Sequence, residues 1–232
     1  MSFAFTHHEV APDLHMFRTH MGRVDLMFNS YLLMAQRPVL LHTGNAAMWP
    51  GLRAELTQVL PLEELAYVVV PHFEADECGA LSLLLQEARP SVIASRVGAG
   101  QLMGFDIFEQ PQIARDGDRL DLGDRDLELI AAPSEMHLWD GLVAFDRKTG
   151  TLFSADFFSQ WGGHTPDFSP LPDLGAMTQM AANGMACTEP FARMLDRLLD
   201  LDIRFIAPGH GSCFTERIPD LVRGYLTKTL KA

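Results

Sequence analysis

Short, uninterrupted apolar runs are the feature that most restricts how this chain can fold. Residues Ala66–Val70 (AYVVV) form one such run, which is mostly β-branched and stops at Pro71. A run of this kind is typical of a strand that is covered on both faces. Similar runs at Val39–Leu41 and Ser91–Ala94 alternate with segments of helical spacing, such as Gly79–Arg89. The alternation predicts a layered α/β fold.

The middle of the chain has a different pattern, in which short strands are separated by turns. Strand-like runs occur at Asp126–Ala131, Leu142–Asp146 and Thr151–Ser154, and Asp146–Gly150 (DRKTG) predicts a hairpin loop between two of them. Another strand is expected at Ile203–Ala207, with amphipathic helices before and after it. Such a meander is not a doubly wound pattern. We therefore expect two mixed sheets face to face, each covered by helices on its outer side.

Length and charge limit what this fold can do. The 232 residues favour one large domain, residues 1–232, over two. The formal net charge of −12 disfavours nucleic acid and anionic membrane surfaces as partners. No apolar run approaches the length of about 18 residues that would predict a membrane span. The start of the chain shows no signal-peptide pattern, and the three cysteines (Cys78, Cys187 and Cys213) are scattered, so we expect a reducing, cytoplasmic location.

Ionisable side chains are concentrated directly after the buried strand Ala66–Val70. His72, Glu74, Asp76 and Glu77 fall within six positions, at a strand end of the kind where α/β folds place their sites. In an extended turn, positions 72, 74 and 76 would point the same way. Carboxylates that converge without a cation repel each other, and a metal ion removes that repulsion. The alternative is a charged helix start, where Asp76 and Glu77 are favourable without any ligand.

Three other strand ends carry ligand-type residues. His137 follows the strand that ends near Ala132, Asp156 follows Leu152-Phe153-Ser154-Ala155, and His210 lies in Pro208-Gly209-His210-Gly211. A single histidine after a strand is usually a surface or core residue. Several polar residues at strand ends, in this order, are how a fold gathers metal ligands that are distant in sequence. The coincidence therefore favours a metal site.

This order of residues resembles the metallo-β-lactamase fold. Within that fold, His72-x-Glu74-x-Asp76 is similar to the di-iron branch, which comprises the flavodiiron proteins and related oxygen-binding di-iron proteins. The hydrolases of the superfamily usually have a second histidine where Glu74 stands. The resemblance extends over roughly residues 10 to 230 and includes Asn29-Ser30-Tyr31-Leu32-Leu33 and the segment Leu152–Phe158. It implies a four-layer αββα sandwich of the metallo-β-lactamase type.

The resemblance also implies a ligand set for two iron ions. His72, Glu74 and His137 would hold one iron, Asp76 and His210 would hold the other, and Asp156 would bridge the two. Imidazole and carboxylate ligands suit iron or manganese and do not demand zinc. Iron is the expected metal, and manganese or zinc stays open as the alternative. Two divalent ions would bring four positive charges, which balance the four carboxylates of Glu74, Asp76, Glu77 and Asp156.

Two positions depart from the family pattern. Glu77 stands where the family usually has a histidine; it would either bind the second metal or turn away as a charge at the helix start. His42 stands where related sequences commonly carry an aspartate, near the floor of the site. His42 would support a metal ligand, compensate for the histidine missing at 77, or be a buried, hydrogen-bonded histidine.

The implied function is the binding, and in an oxidoreductase the reduction, of O2 or NO. Flavodiiron proteins carry an FMN-binding flavodoxin-like domain after this core. This chain ends at Ala232, so we expect no FMN here and a separate electron donor, either a flavoprotein or a rubredoxin-like protein. A sensor or carrier role stays open. A homodimer is implied by resemblance, and no catalytic residues are expected beyond the metal ligands.

Two other functions remain open at this point. A two-metal hydrolase would act on thioesters, lactones or phosphoesters through a bridging water whose pKa is lowered by the metals. Glu74 argues against this function, because an additional carboxylate weakens the Lewis acidity of the metals. The third candidate is a binding protein that has lost its metal, in which Glu77 and His42 would be signs of decay.

Overall fold

The computed structural model describes residues 3–104, 110–132, 140–163, 166–168 and 189–229. In these ranges two β-sheets lie face to face, and helices pack on their outer sides. The predicted αββα sandwich of the metallo-β-lactamase type is therefore confirmed. That residues 1–232 form a single domain stays a prediction.

The first sheet contains seven strands arranged in chain order. They are β1 (Thr6–Ala11), β2 (Leu14–Met21), β3 (Leu26–Leu33), β4 (Val39–Leu41), β5 (Tyr67–Val70), β6 (Ser91–Ser95) and β7 (Gln112–Ala114). Strands β1 to β4 pair antiparallel, whereas β4 to β7 pair parallel. Because β4 and β5 run in the same direction, the residues that follow them emerge at one edge of the sheet.

The second sheet contains five strands in the order β12-β11-β10-β9-β8. They are β8 (Arg119–Asp121), β9 (Asp126–Ala132), β10 (Gly141–Asp146), β11 (Thr151–Ala155) and β12 (Phe205–Pro208). Strands β8 to β11 form an antiparallel meander, as the turn pattern predicts, and β12 pairs parallel with β11. The carboxyl ends of β11 and β12 therefore lie side by side.

Six α-helices lie in the described ranges. They are α1 (Trp49–Val59), α2 (Ala75–Cys78), α3 (Leu81–Glu87), α4 (Arg96–Gly104), α5 (Glu189–Leu199) and α6 (Ile218–Thr229), and a 3-10 turn spans Leu62–Glu64. No helix in the described part of the chain has both the length and the apolar character that crossing a membrane requires.

Three apolar clusters mark the boundaries between the layers. Val68 and Val70 of β5 pack with helix residues such as Leu52 and Leu84 on the outer side of the first sheet. The side chain between them, Val69, points the other way and joins the cluster between the two sheets. The AYVVV run is thus buried on both faces, as predicted. The third cluster covers the outer side of the second sheet with α5 and α6.

The sequence does not predict some elements of the structure, among them β1, β2 and α4. Strands β1 and β2 carry the polar sequences THHEVA and LHMFRTHM, which lack a clear apolar alternation. Helix α4 contains Gly98, Gly100 and Gly104, and glycine is a poor helix former. It nevertheless forms, because Ala99 and Leu102 are buried against the first sheet. Tertiary packing outweighs local propensity at this helix.

We predict that Phe153→Ala lowers the free energy of unfolding by about 3–5 kcal/mol. Phe153 is fully buried between the sheets, where its ring centroid lies 5.8 Å from that of Tyr31, and its removal leaves a cavity. Urea denaturation measures the change. The control is Ile113→Ala, which removes a partly exposed side chain from β7 and should cost much less. Equal losses in the two variants would contradict the inter-sheet core.

Candidate metal centre

The candidate centre lies where strands of both sheets end. His72 follows β5 of the first sheet, whereas Asp156 follows β11 and His210 follows β12 of the second sheet. A backbone hydrogen bond from Leu142 N–H to Pro71 O, 2.8 Å long, ties the start of β10 to the turn before His72. Residues that are far apart in the chain therefore meet at one edge of the sandwich, as the sequence predicts.

The turn after β5 divides its ligand-type side chains into two groups. Glu74 has extended backbone (φ −139°, ψ 160°), so its side chain points the same way as that of His72. Helix α2 begins at Ala75, and it carries Asp76 and Glu77 toward His210 instead. The expectation that positions 72, 74 and 76 all share one direction is therefore wrong for Asp76, because the chain becomes helical there.

The first cluster contains His72, Glu74 and Asp156. His72 Nε2 lies 3.1 Å from Glu74 Oε2 and 3.4 Å from Asp156 Oδ2. The imidazole is buried, with 1% of its side chain exposed, whereas the Glu74 side chain is 43% exposed. Solvent and small molecules therefore reach this cluster from the Glu74 side.

The second cluster contains Asp76, Glu77 and His210, whose ligand-type atoms lie within 4.8 Å of one another. His210 Nε2 is 3.2 Å from Asp76 Oδ2 and 3.3 Å from Asp156 Oδ1. Asp156 thus directs one carboxylate oxygen at His72 and the other at His210. A carboxylate in this arrangement can touch two cations at once.

Hydrogen bonds orient the His210 imidazole. Its Nδ1–H donates to Met27 O over 2.9 Å, because a carbonyl only accepts, so Nε2 is the nitrogen that faces the carboxylates and would offer a lone pair once a cation replaces its proton. A metal ligand needs this orientation, and a backbone carbonyl is a common partner for the second nitrogen of such a ligand.

The Pro208–Gly211 loop that carries His210 is held by buried side chains from the first sheet. Asn29 Nδ2 donates to Pro208 O and Gly211 O, at 2.9 and 3.0 Å, and Tyr31 Oη–H donates to Pro208 O over 2.8 Å. Buried Arg18 donates to Gly211 O over 3.1 Å. The Asn29–Leu33 segment therefore has a physical role in the site, since it fixes the loop that presents the histidine.

Gly209 packs closely against its neighbours. A Cβ atom at this position would lie 3.1 Å from Glu77 Oε1 and 3.2 Å from Ala155 O. The same residue donates its N–H to Ala155 O over 2.7 Å, and Ala155 itself has φ +50°. A side chain at 209 would therefore require Glu77 or the backbone at Ala155 to shift by a few tenths of an ångström.

The two positions that depart from the family pattern contact each other. His42 Nδ1 lies against Glu77 Oε2, and both side chains are 2% exposed. His42 has φ +64°, in the left-handed region, and the next residue, Thr43, donates its N–H to Glu77 O over 2.9 Å. Glu77 therefore faces the second cluster and His42, not solvent.

Asp140 is a contributor that the sequence reasoning missed. It is buried, and its Oδ2 accepts the Phe73 N–H over 2.5 Å, so it fixes the backbone between His72 and Glu74. The only sequence signal was a carboxylate directly before the apolar strand β10. His137, the remaining predicted ligand, lies outside the described residues, as does Cys187.

The electrostatics of the cluster favour protonated imidazoles when no cation is bound. Burial opposes the charged form of His72, but the Glu74 hydrogen bond and the Asp156 charge outweigh it and raise the pKa of His72 to about 10. Burial also opposes the charged form of His210, yet its contacts with Asp156 and Asp76 raise its pKa well above the ordinary value. For Asp76, burial acts to raise the pKa, but the His210 contact lowers it overall.

The donor set fits a pair of divalent cations. Imidazole nitrogens and carboxylate oxygens are suitable ligands for iron and manganese. Among the described residues, Glu77 Oε2 touches His42 without a well-directed hydrogen bond, and Asp76 and Glu77 converge on the single imidazole of His210; buried carboxylates that converge in this way are costly unless a cation compensates them. Cations would take the place of the protons on His72 and His210.

We predict that metal-free protein loses stability as the pH rises from about 6.5 to about 10. His72 binds its proton more tightly in the folded state, where its pKa is about 10, than in the unfolded state, where it is 6.5. The stabilisation is thus complete below pH 6.5 and disappears as the pH passes the folded-state pKa. Urea midpoints across this range measure it. In His72→Gln the slope should be reduced, and an unchanged slope would contradict the assignment.

Residues 26–211 match the family described as ODP family beta lactamase. Among curated relatives, "Putative diflavin flavoprotein A 1" of Thermosynechococcus vestitus is 30% identical over 85% of this chain and 36% of its own length. A "Nitric oxide reductase" of Moorella thermoacetica is 26% identical over 90% of this chain and 54% of its own length. The chain thus spans between about a third and about half of these relatives.

Solved structures share the fold. A flavo di-iron protein variant from Thermotoga maritima superposes with a TM-score of 0.88, at 19% identity, over 99% of this chain and 62% of that one. The rubredoxin oxygen:oxidoreductase of Desulfovibrio gigas superposes with a TM-score of 0.85, at 21% identity, over 97% of this chain and 62% of that one.

Proposed function

This chain belongs to the ODP beta-lactamase family, and from that premise we propose that it is a di-iron protein that binds and reduces O2 or NO. The observation that carries the proposal is the position of Asp156, whose two oxygens lie 3.4 Å from His72 Nε2 and 3.3 Å from His210 Nε2. One carboxylate between two imidazole-containing clusters is the arrangement that a two-metal centre needs.

The ligand set in this proposal divides along the two clusters. His72 and Glu74, joined by His137, hold the first iron. Asp76, Glu77 and His210 hold the second, and Asp156 bridges both. The four carboxylates balance the charge of two ferrous ions, so that a buried centre of this composition avoids a large desolvation cost.

When bound by these residues, two ferrous ions would supply electrons and open coordination positions to a diatomic ligand. The residues around them determine how that chemistry is used. Four carboxylates near the metals favour their more positive, oxidised state, because each negative charge stabilises an added positive one. Met27 O keeps His210 in the orientation that a ligand needs, and the half-exposed Glu74 leaves one side of the centre open to small molecules.

The choice of O2 or NO rests on the relatives. One is named a nitric oxide reductase and another a rubredoxin oxygen:oxidoreductase. We propose that this chain receives electrons from a separate flavoprotein or rubredoxin-like protein, acts in the cytoplasm and works as a homodimer. Iron is the metal in this proposal.

A hydrolase is the less favoured function because of the first cluster. Glu74 Oε2 lies 3.1 Å from His72 Nε2, so a carboxylate occupies a position where the hydrolases of the superfamily have a neutral imidazole. An additional negative ligand weakens the Lewis acidity that activates water and polarises a carbonyl. Ligand-type side chains meet in both clusters, which also disfavours a binding protein that has lost its metal.

The test uses the chain loaded anaerobically with Fe(II) as the only metal and reduced by a chemical donor with rubredoxin as carrier. We expect about two irons per chain, an absorption change on exposure to O2 or NO, and consumption of that gas. Asp156→Ala should lose both irons and the consumption, because one carboxylate serves both positions. Elemental analysis and gas electrodes provide the measurements.

The control is Asp126→Ala, which removes an exposed carboxylate at the start of β9 and should retain both iron and activity. Loss of only one iron in Asp156→Ala would contradict the bridging role. Turnover of ester or lactone substrates by the wild-type protein without any redox change would instead support the hydrolase.

A further inference from the structure

We propose that His42 is a positioning residue, which holds Glu77 in place as a ligand of the second cation. This inference rests on the proposed function for the presence of two metals, and it adds the residue that orients one of their ligands. Its basis is the buried contact between the two side chains, together with the backbone conformation that produces this contact.

The contact between His42 and Glu77 is shielded from solvent. His42 Nδ1 lies against Glu77 Oε2, and each side chain is 2% exposed. An ionised carboxylate only accepts hydrogen bonds, so the nitrogen that faces it must carry a hydrogen. A carboxylate also has a second oxygen. Glu77 can therefore face His42 with Oε2 and still offer Oε1 to a cation.

Two backbone hydrogen bonds join the segment after β4 to the region of helix α2. Thr43 donates its N–H to Glu77 O, and Ala80 donates its N–H to Gly44 O, both over 2.9 Å. His42 directly precedes this segment, and Glu77 belongs to the helix. The backbones that carry the two side chains are therefore fixed relative to each other, independently of the side-chain contact.

The imidazole of His42 has a defined place in the site. Its φ of +64° is a conformation that residues with a side chain rarely adopt, and it persists only where the surroundings determine it. The ring centroid of Tyr31 lies 6.2 Å from that of His42, and a Cβ atom at Gly209 would lie 3.4 Å from His42 Cε1. His42 thus lies between the loop that carries His210 and the helix that carries Glu77.

The contact affects the second cluster because Glu77 is one of its members, with Asp76 and His210. A buried carboxylate that loses its hydrogen-bond donor is left with an uncompensated charge. Residues that orient metal ligands affect metal affinity without touching the metal, and their loss typically weakens binding about 10–100-fold. The effect should be confined to one cation, because His42 has no contact with His72 or Glu74 among the described ion pairs and hydrogen bonds.

The experiment compares His42→Asn with His42→Asp in full-length protein loaded anaerobically with Fe(II). Asparagine and aspartate have the same size and both tolerate the left-handed backbone, but only the asparagine amide can donate to Glu77. We expect His42→Asn to retain both irons. His42→Asp places a second carboxylate against Glu77 and should weaken the binding of one iron about 10–100-fold. Chelator competition measures the affinity, and Mössbauer spectroscopy shows which iron is affected, independently of activity.

Further variants keep the result interpretable if His42→Asp folds poorly. The double variant His42→Asp with Glu77→His exchanges the acid and the imidazole across the same contact, which removes the repulsion, and its iron affinity should recover about tenfold or more relative to His42→Asp alone. Glu77→Gln should weaken the iron that His42→Asp weakens. The matched control is His15→Asp, at a histidine that contacts His7 outside both clusters, which should leave both irons unchanged.

Three results would overturn the inference while the wild type still binds two irons. The first is an unchanged affinity for both irons in His42→Asp. The second is a double variant that binds iron no better than His42→Asp. The third is a loss of both irons together with a lower urea midpoint of the metal-free protein, which would show that His42 only stabilises the fold. Fewer than two irons per wild-type chain would instead contradict the proposed function itself.

Discussion

The site depends on one carboxylate that faces two imidazoles from different sheets. Asp156 follows β11, its oxygens point at His72 and His210, and both distances are below 3.5 Å. This geometry exists only because the carboxyl ends of β5, β11 and β12 meet at one edge of the sandwich. The inter-sheet core that brings these ends together is thus a condition for the metal chemistry as much as for stability.

Negative charge concentrated at that edge explains many of the neighbouring contacts. The four carboxylates of the two clusters surround His72 and His210, and each of these two imidazoles holds its proton strongly in the metal-free state. Cations in place of those protons would neutralise the same charges and use the same nitrogen lone pairs. The buried network of Asn29, Tyr31 and Arg18 supports the loop of His210 from behind, so the histidine is already oriented before a metal arrives.

Much of this arrangement could be predicted from the sequence, because its signals are strong and local. The AYVVV run identifies β5, and the polar residues at strand ends identify His72, Asp156 and His210. The division of the 72–77 segment into two clusters could not be predicted, since it depends on where α2 begins. The contact of His42 with Glu77 joins β4 to α2, and no local pattern reveals it. Strands β1 and β2 were missed because their histidines interrupt the apolar alternation.

The most direct test of the central claim is iron-edge X-ray absorption on protein that was loaded anaerobically with Fe(II). If Asp156 joins two metals, the spectrum contains a metal scatterer at about 3.5–4 Å from the absorbing iron, in addition to nitrogen and oxygen ligands. A spectrum with nitrogen and oxygen neighbours but no metal scatterer, from protein that contains two irons per chain, would show separate ions and contradict the shared carboxylate.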